Sequence, residues 1–310
     1  LTLDGDIIYS RQNDPAYYED VSQTQIGTTA AGAPIFDFVA GSENYMLTNA
    51  NTYGDGLAVS LIAKQRYDWG LDWSLGYAYT DQTDVSPMTS SVASSNFNNL
   101  ALSSLVDPRA ATSNYVSPHR FTARISYARE FIPGHETRIT AFMFSKEGQP
   151  QSHVMSSSDL EGDQRYGRHL LYVPSPNGDD NVVIQPGFDT AGWNTFLKTN
   201  GYEQYAGGFV PRNARHTRWS NRMDLRIDQE LPLFFGTQAR AYLKIYNVLN
   251  MLNDSWGRQY DSYFYSQAVV TSSVDGDGRY VFENFRNRGL TDLRENASLY
   301  EIRLGVQFEF

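Results

Sequence analysis

The chain has 310 residues, 14 % of them aromatic with 21 tyrosines, no cysteine and a formal net charge of -10. The missing cysteines exclude a disulfide framework and a thiolate metal site, and the acidic balance argues against a nucleic-acid partner. No apolar run approaches the ~18 residues of a membrane-spanning helix, yet a spanning β-strand needs only about ten alternating residues.

Leu1 is not a start methionine and no signal-peptide pattern follows, so the first residue reads as a point inside a longer protein. Leu1 to Ser10 forms a weak strand, with Leu1, Leu3, Ile7 and Tyr9 on one parity. A polar loop over about 11–51 follows. Gly56 to Arg66 alternates again, Leu57, Val59, Leu61 and Ala63 against Ala58, Ser60, Ile62 and Lys64. A tight turn at 67–70 leads to Leu71 to Thr80, where Leu71, Trp73, Leu75, Tyr77 and Tyr79 oppose Asp72, Ser74, Gly76, Ala78 and Thr80. Two such runs around a short Gly-containing turn predict a hairpin.

A second polar loop covers 81–118. Phe121, Ala123, Ile125 and Tyr127 then alternate with Thr122, Arg124, Ser126 and Ala128, a turn over 130–136 holds Pro133-Gly134, and Thr137 to Ser145 returns. The loop over 146–220 is the longest. Met223, Leu225 and Ile227 face away from Asp224, Arg226 and Asp228, a turn at about 230–237 carries aromatics, and Ala239 to Leu249 is the seventh strand. The loop over about 250–296 holds a possible hairpin of Ser262 to Val270 with Arg279 to Phe285. The terminal stretch alternates throughout: Tyr300, Ile302, Leu304, Val306, Phe308 and Phe310 against Glu301, Arg303, Gly305, Gln307 and Glu309.

This gives eight strands whose connections alternate between short and very long. Outer-membrane barrels have that asymmetry, with short periplasmic turns, long extracellular loops, an apolar parity toward lipid and a polar parity toward the lumen. The expected fold is therefore all-β, a transmembrane antiparallel β-barrel in the outer membrane of a Gram-negative bacterium.

The ending R-x-G-x-x-F-x-F, with Tyr300, Arg303, Gly305, Phe308 and Phe310, resembles the carboxy-terminal assembly signal read by the barrel-insertion machinery. Arg222 to Glu230, then Ala241 to Asn253 with Asn247, Asn250 and Asn253 in an Asn-x-x-Asn-x-x-Asn run, resembles the late strands of TonB-dependent outer-membrane transporters. Ser117 to Tyr127 and Asn253 to Arg258 are similar to the Oar-like branch of that family. The resemblance implies a 22-stranded barrel, a plug domain inside it, and a coupling box that contacts TonB from the periplasm. On this reading residues 1–310 are the carboxy-terminal part of the barrel, without the plug. The implied function is TonB-energised import of a large or scarce solute, with outer-membrane lipid as the surrounding partner. A structural or adhesive barrel that binds a partner through its loops is the alternative.

No catalytic pattern stands out, and neither an enzyme nor a cofactor is expected. The five histidines lack metal-ligand spacing and no G-x-S-x-G is present. Asp275 and Asp277, and Asp179 and Asp180, lie in oxygen-rich loops that are weak Ca²⁺ candidates, with a turn the better reading of each. Trp193, Tyr260, Tyr263 and Tyr265 are candidate ligand contacts by stacking, or else pack the loops on one another.

Overall fold

A computed structural model describes the chain apart from residues 40–42, 157–159, 164–166, 235–236, 262–265, 287–291 and 310. Eight long strands form its wall: β1 (Thr2–Asn13), β2 (Tyr53–Arg66), β3 (Leu71–Asp84), β4 (His119–Ile132), β5 (His135–Lys146), β6 (Ser220–Phe234), β7 (Thr237–Tyr246) and β8 (Glu301–Glu309). Each pairs antiparallel with its neighbours in chain order. Among the described residues β1 and β8 are paired on one side only, so the sheet is open at both edges.

All eight expected strands are present, most of them longer than the sequence pattern indicates. β4 runs to Ile132 and β5 resumes at His135, which shrinks the turn expected over 130–136 to Pro133-Gly134. β6 likewise continues to Phe234 and β7 begins at Thr237. Cross-strand pairing holds backbone extended where side-chain alternation has already lapsed. The seventh strand stops at Tyr246, short of the expected Leu249. Asn247 adopts a left-handed φ of 56° there and opens a short helix, Val248–Leu252.

An antiparallel meander puts alternate connections at opposite ends. The turns at 67–70 and 133–134 share one end with the junction of β6 and β7 and the open ends of β1 and β8. The segments 14–52, 85–118, 147–219 and 247–300 all rise from the other. These four were expected as polar loops, but their described residues hold strands and helices of their own. They fold together into a cap with its own core.

The cap is built on a sheet whose order is His169–Leu170, Pro150–Ser156, Ser266–Val274, Tyr280–Phe285, Val182–Ile184, with Arg215–His216 also pairing with Pro150–Ser156. Ser266–Val274 and Tyr280–Phe285 are the expected hairpin, shifted toward the carboxyl terminus of the 262–285 region. Pro150–Ser156 joins Ser266–Val274 in parallel, a pairing between segments more than a hundred residues apart. The helix Thr190–Asn200 covers the sheet. Asp189 accepts its Gly192 amide at 2.9 Å, and Gly201 ends it in the left-handed conformation. Trp193, Phe196 and Leu197 from the helix join Tyr202, Phe188, Tyr280 and Phe282 in the buried core.

Candidate functional site

The wall has two unlike faces. Register places Ile7, Val59 and Tyr79 in one row, Leu75, Ala123 and Met143 in another, and Ile227, Leu243 and Leu304 in a third. All lie on the same side of the sheet. The side predicted to be apolar is thus continuous across all eight strands, and among the described residues many of its large side chains are exposed. Leu304 is 80 % exposed, Ile7 76 % and Ile125 50 %. Burial of such side chains is worth about 1.5–3 kcal/mol each, which makes this exposed face the candidate site.

Aromatic rings border this face at both ends. Near the cap, Tyr77 packs 4.9 Å from Phe121 between ring centroids, and His119 stacks 6.3 Å from Trp219. The Tyr77 hydroxyl meets His119 Nδ1 at 2.9 Å. Near the turns, Trp69 lies 5.5 Å from Tyr67 and 5.9 Å from Tyr127. Tyr127 and His119 sit eight residues apart on β4, about 27 Å along an extended strand.

The opposite face is polar and ion-paired. Lys64 bonds Asp4 at 2.9 Å, Arg138 bonds Glu136 at 2.9 Å, Arg240 bonds Glu230 at 2.9 Å, and Arg124 bonds Asp72. Arg226 grips Asp228 with two nitrogens at 2.7 and 2.8 Å. Every charged residue assigned to this parity from the sequence is found on it.

In the cap, a buried polar cluster ties three of the four rising segments to one another by hydrogen bonds, and the fourth packs on it. His169 Nδ1 lies 3.2 Å from Glu161 Oε2, and its Nε2 lies 3.4 Å from Asp163 Oδ1. Burial opposes a charged imidazole, but the Glu161 charge and the two carboxylate contacts outweigh it and hold the His169 pKa up at about 9. The Tyr280 hydroxyl donates to Glu161 at 3.0 Å, Gln23 donates to the Asp163 carbonyl, the Phe36 amide donates to the Glu161 carbonyl, and the Arg168 guanidinium sits 4.3 Å over the Phe97 ring. Arg212, buried beside Asp84, also donates to the carbonyls of Asp84 and Val85, joining 147–219 to the end of β3. His153 lies deeper, its Nδ1 2.6 Å from the Tyr202 hydroxyl, and burial pushes its pKa down to about 4.

The residues singled out by the sequence fall in different places. Trp193 is 3 % exposed and packs edge-on to Phe282 and Phe285. It is a core residue of the cap, the packing alternative of its two sequence readings. Tyr260 is half-buried with the Arg218 guanidinium 5.3 Å above its ring. Tyr263 and Tyr265 lie outside the described residues, as does Phe310 of the assembly signal.

Asp275 turns the cap hairpin, its carboxylate accepting from the Asp277 and Arg279 amides. Asp179 accepts from the Ser175 and Asn181 amides and the Tyr172 hydroxyl, and Asp180 is exposed next to it. Both stretches are turns. Among the described residues no cluster of three His, Asp or Glu gathers at either. In β8, Arg303 pairs with Glu301, and Phe308 is exposed on the apolar side; Tyr300 precedes the strand. Gly305 lies under the Tyr242 ring, and a Cβ there would collide with it.

The Asn run has a structural role that the sequence did not reveal. Asn247 is fully buried and donates to the carbonyls of Gly257 at 2.9 Å and Ser298 at 2.7 Å, which clasps the base of the 247–300 segment. Asn250 donates to Asp254 and Trp256 carbonyls, and Asn253 accepts from Ser255. Spacing of three residues with short polar side chains was the available signal, since asparagine tolerates left-handed backbone and bonds nearby main chain. No protein-family model matches the chain, and no curated protein matches it.

Proposed function

We propose that the eight strands are a stretch of the wall of an outer-membrane β-barrel, with the cap on the extracellular side, and that the assembled protein imports a large or scarce solute with energy from TonB. One observation carries the membrane assignment: an apolar face continuous in register over eight strands, with many of its described side chains exposed. Monomeric soluble proteins rarely expose contiguous apolar patches above a few hundred Å². The aromatic borders support it. About 27 Å along strands tilted by ~40° spans roughly 20 Å of height, near the ~25 Å apolar band of such barrels.

On this reading the ion-paired face lines the lumen, and the cap forms the mouth that selects the solute. The resemblance of β6, β7 and β8 to TonB-dependent transporters supports transport and energy coupling. No residue is assigned covalent chemistry and no cofactor is invoked.

The absence of cysteine makes single-cysteine labelling clean. Asp277→Cys, at the exposed tip of the cap hairpin, should react with a membrane-impermeant maleimide on intact cells. Gly134→Cys, in a turn at the other end, should react only after the outer membrane is permeabilised. Equal or reversed labelling overturns the topology. For transport, loss of the protein and loss of TonB should abolish uptake of the same solute. Retention of partner binding without any such uptake would favour the adhesive barrel.

A further inference from the structure

The cap end of the polar face has a group of cations that is not balanced internally. Register sets Arg226, Lys244 and Arg303 side by side across β6, β7 and β8. Like charges directly opposite one another on adjacent strands are destabilising unless something neutralises them. Arg222 is close by and pairs with Asp224 at 2.9 Å. Arg226 is held by Asp228 and Arg303 by Glu301. Lys244 has no carboxylate partner among the described residues.

The rings around it fit a binding shelf. Lys244 Nζ stands 4.2 Å from the Tyr246 ring centroid, and the Arg303 and Arg222 guanidinium carbons stand 5.0 and 5.6 Å from the same ring. Arg226 lies 5.0 Å from the Tyr242 ring, which rests over Gly305 because that position has no Cβ. An amine placed between two paired arginines, above one aromatic face and beside another, presents N–H donors toward the lumen with no acceptor of its own. Tyr246 is the last residue of β7, so the shelf lies just below the cap.

Resting on the lumen assignment above, we propose that this shelf is a binding site for an oxyanion, a carboxylate or phosphate group, received by Lys244 and flanked by Arg226 and Arg303. The anion is carried by the solute as it passes the mouth. The same chemistry on an acidic side chain of the full protein packed inside the barrel is the other possible source.

The test uses the full-length protein in detergent micelles, titrated calorimetrically with inorganic phosphate and with citrate. Lys244→Gln is compared with Arg240→Gln, a change on the same face at the opposite end. In parallel, acylation of Lys244 by an amine-reactive ester is read by mass spectrometry. Saturable binding that weakens about tenfold in Lys244→Gln, as expected for one lost charge-assisted hydrogen bond, and not in Arg240→Gln supports a solute anion. No binding together with a Lys244 that resists acylation supports an internal carboxylate. Binding that Lys244→Gln leaves unchanged overturns the site, and so does absence of binding with Lys244 freely acylated. Cap labelling of Asp277→Cys on cells expressing the same Lys244→Gln variant tests insertion separately. Normal labelling with a failed titration sinks the anion site and leaves the membrane assignment standing.

Discussion

His169 and His153 lie in the same cap and are displaced from the ordinary imidazole pKa in opposite directions, upward to about 9 and downward to about 4. From about pH 6.5 to 9 the folded cap holds a proton on His169 that the unfolded chain has released, so stability is full below about 6.5 and falls as pH rises. Between about 4 and 6.5 the unfolded chain protonates His153 while the folded cap does not, so stability falls as pH drops. The cap should therefore be most stable near pH 6.5. The check is the urea midpoint followed by Trp193 emission, with the other four tryptophans replaced by phenylalanine. His169→Gln should lower the midpoint and flatten the alkaline limb alone; a limb that stays steep would show that other groups set it. None of this was legible in the sequence, where both histidines were residues of a long polar segment. Their partners lie in that same segment, Tyr202 for His153 and Glu161 and Asp163 for His169, but the two carboxylates are fixed in place from other segments by Tyr280, Phe36 and Gln23. The role of Asn247 was half legible. Its place in the Asn run was visible, but its donation to Ser298, 51 residues away, depends on where β8 returns.

The strands were the legible elements because period-two alternation is local. β8 shows this best: its parity, read from residues alone, matches the register with β7 position by position from Ile302 to Phe308. The short strands of the cap were not legible. Val182–Ile184, His169–Leu170 and Arg215–His216 are two or three residues long, too short for any period, and they exist because a sheet gathered from two distant segments satisfies their backbone. The wall makes a sharp prediction in β8. Leu304 lies on the apolar side and is paired with Leu243, whereas Arg303 lies on the ion-paired side opposite Lys244. In the proposed membrane setting, Leu304→Arg places a charge in hydrocarbon at about 2–4 kcal/mol near the midplane, and folded yield in outer-membrane fractions should drop steeply. Arg303→Leu removes one of several cations from a hydrated face and should leave the yield close to that of the unaltered protein. Heat-modifiable mobility on gels reads both. Equal losses would mean that the two faces have been assigned the wrong surroundings.

The open edges of the sheet constrain how the proposed barrel could be completed. β1 offers twelve residues of strand and β8 nine, each hydrogen-bonded on one side only among the described residues. Hydrocarbon does not tolerate unpaired backbone, because no water is present to bond it. In a membrane, either the two edges pair with each other or further strands complete them. A closed barrel of eight strands has an interior just wide enough for its own side chains. The polar face would have to fit Arg124, Arg138, Arg226, Arg240 and Lys244 with Tyr242 and Tyr246 into that space. Arg124, Arg226 and Arg240 keep 45, 39 and 45 % of their side-chain surface exposed in the open sheet, and closure would strip water from all of them at once. Burial of several charges costs several kcal/mol per ion unless each finds full compensation. The edges are therefore expected to stay apart, joined to further strands of a wider barrel. Cysteine pairs placed on outward positions of β1 and β8, such as Ile7→Cys with Leu304→Cys and with its neighbours Ile302→Cys and Val306→Cys, test this in a chain that has no other thiol. Adjacent strands lie about 5 Å apart, so any register of direct pairing would bring at least one pair within reach of a short bifunctional maleimide. A positive control, Leu243→Cys with Leu304→Cys, spans strands that do pair and should cross-link readily in isolated outer membranes. The edge pairs should not. Cross-linking of any edge pair as efficiently as the control would show that β1 and β8 meet, and would replace the wide barrel with a closed one of eight strands.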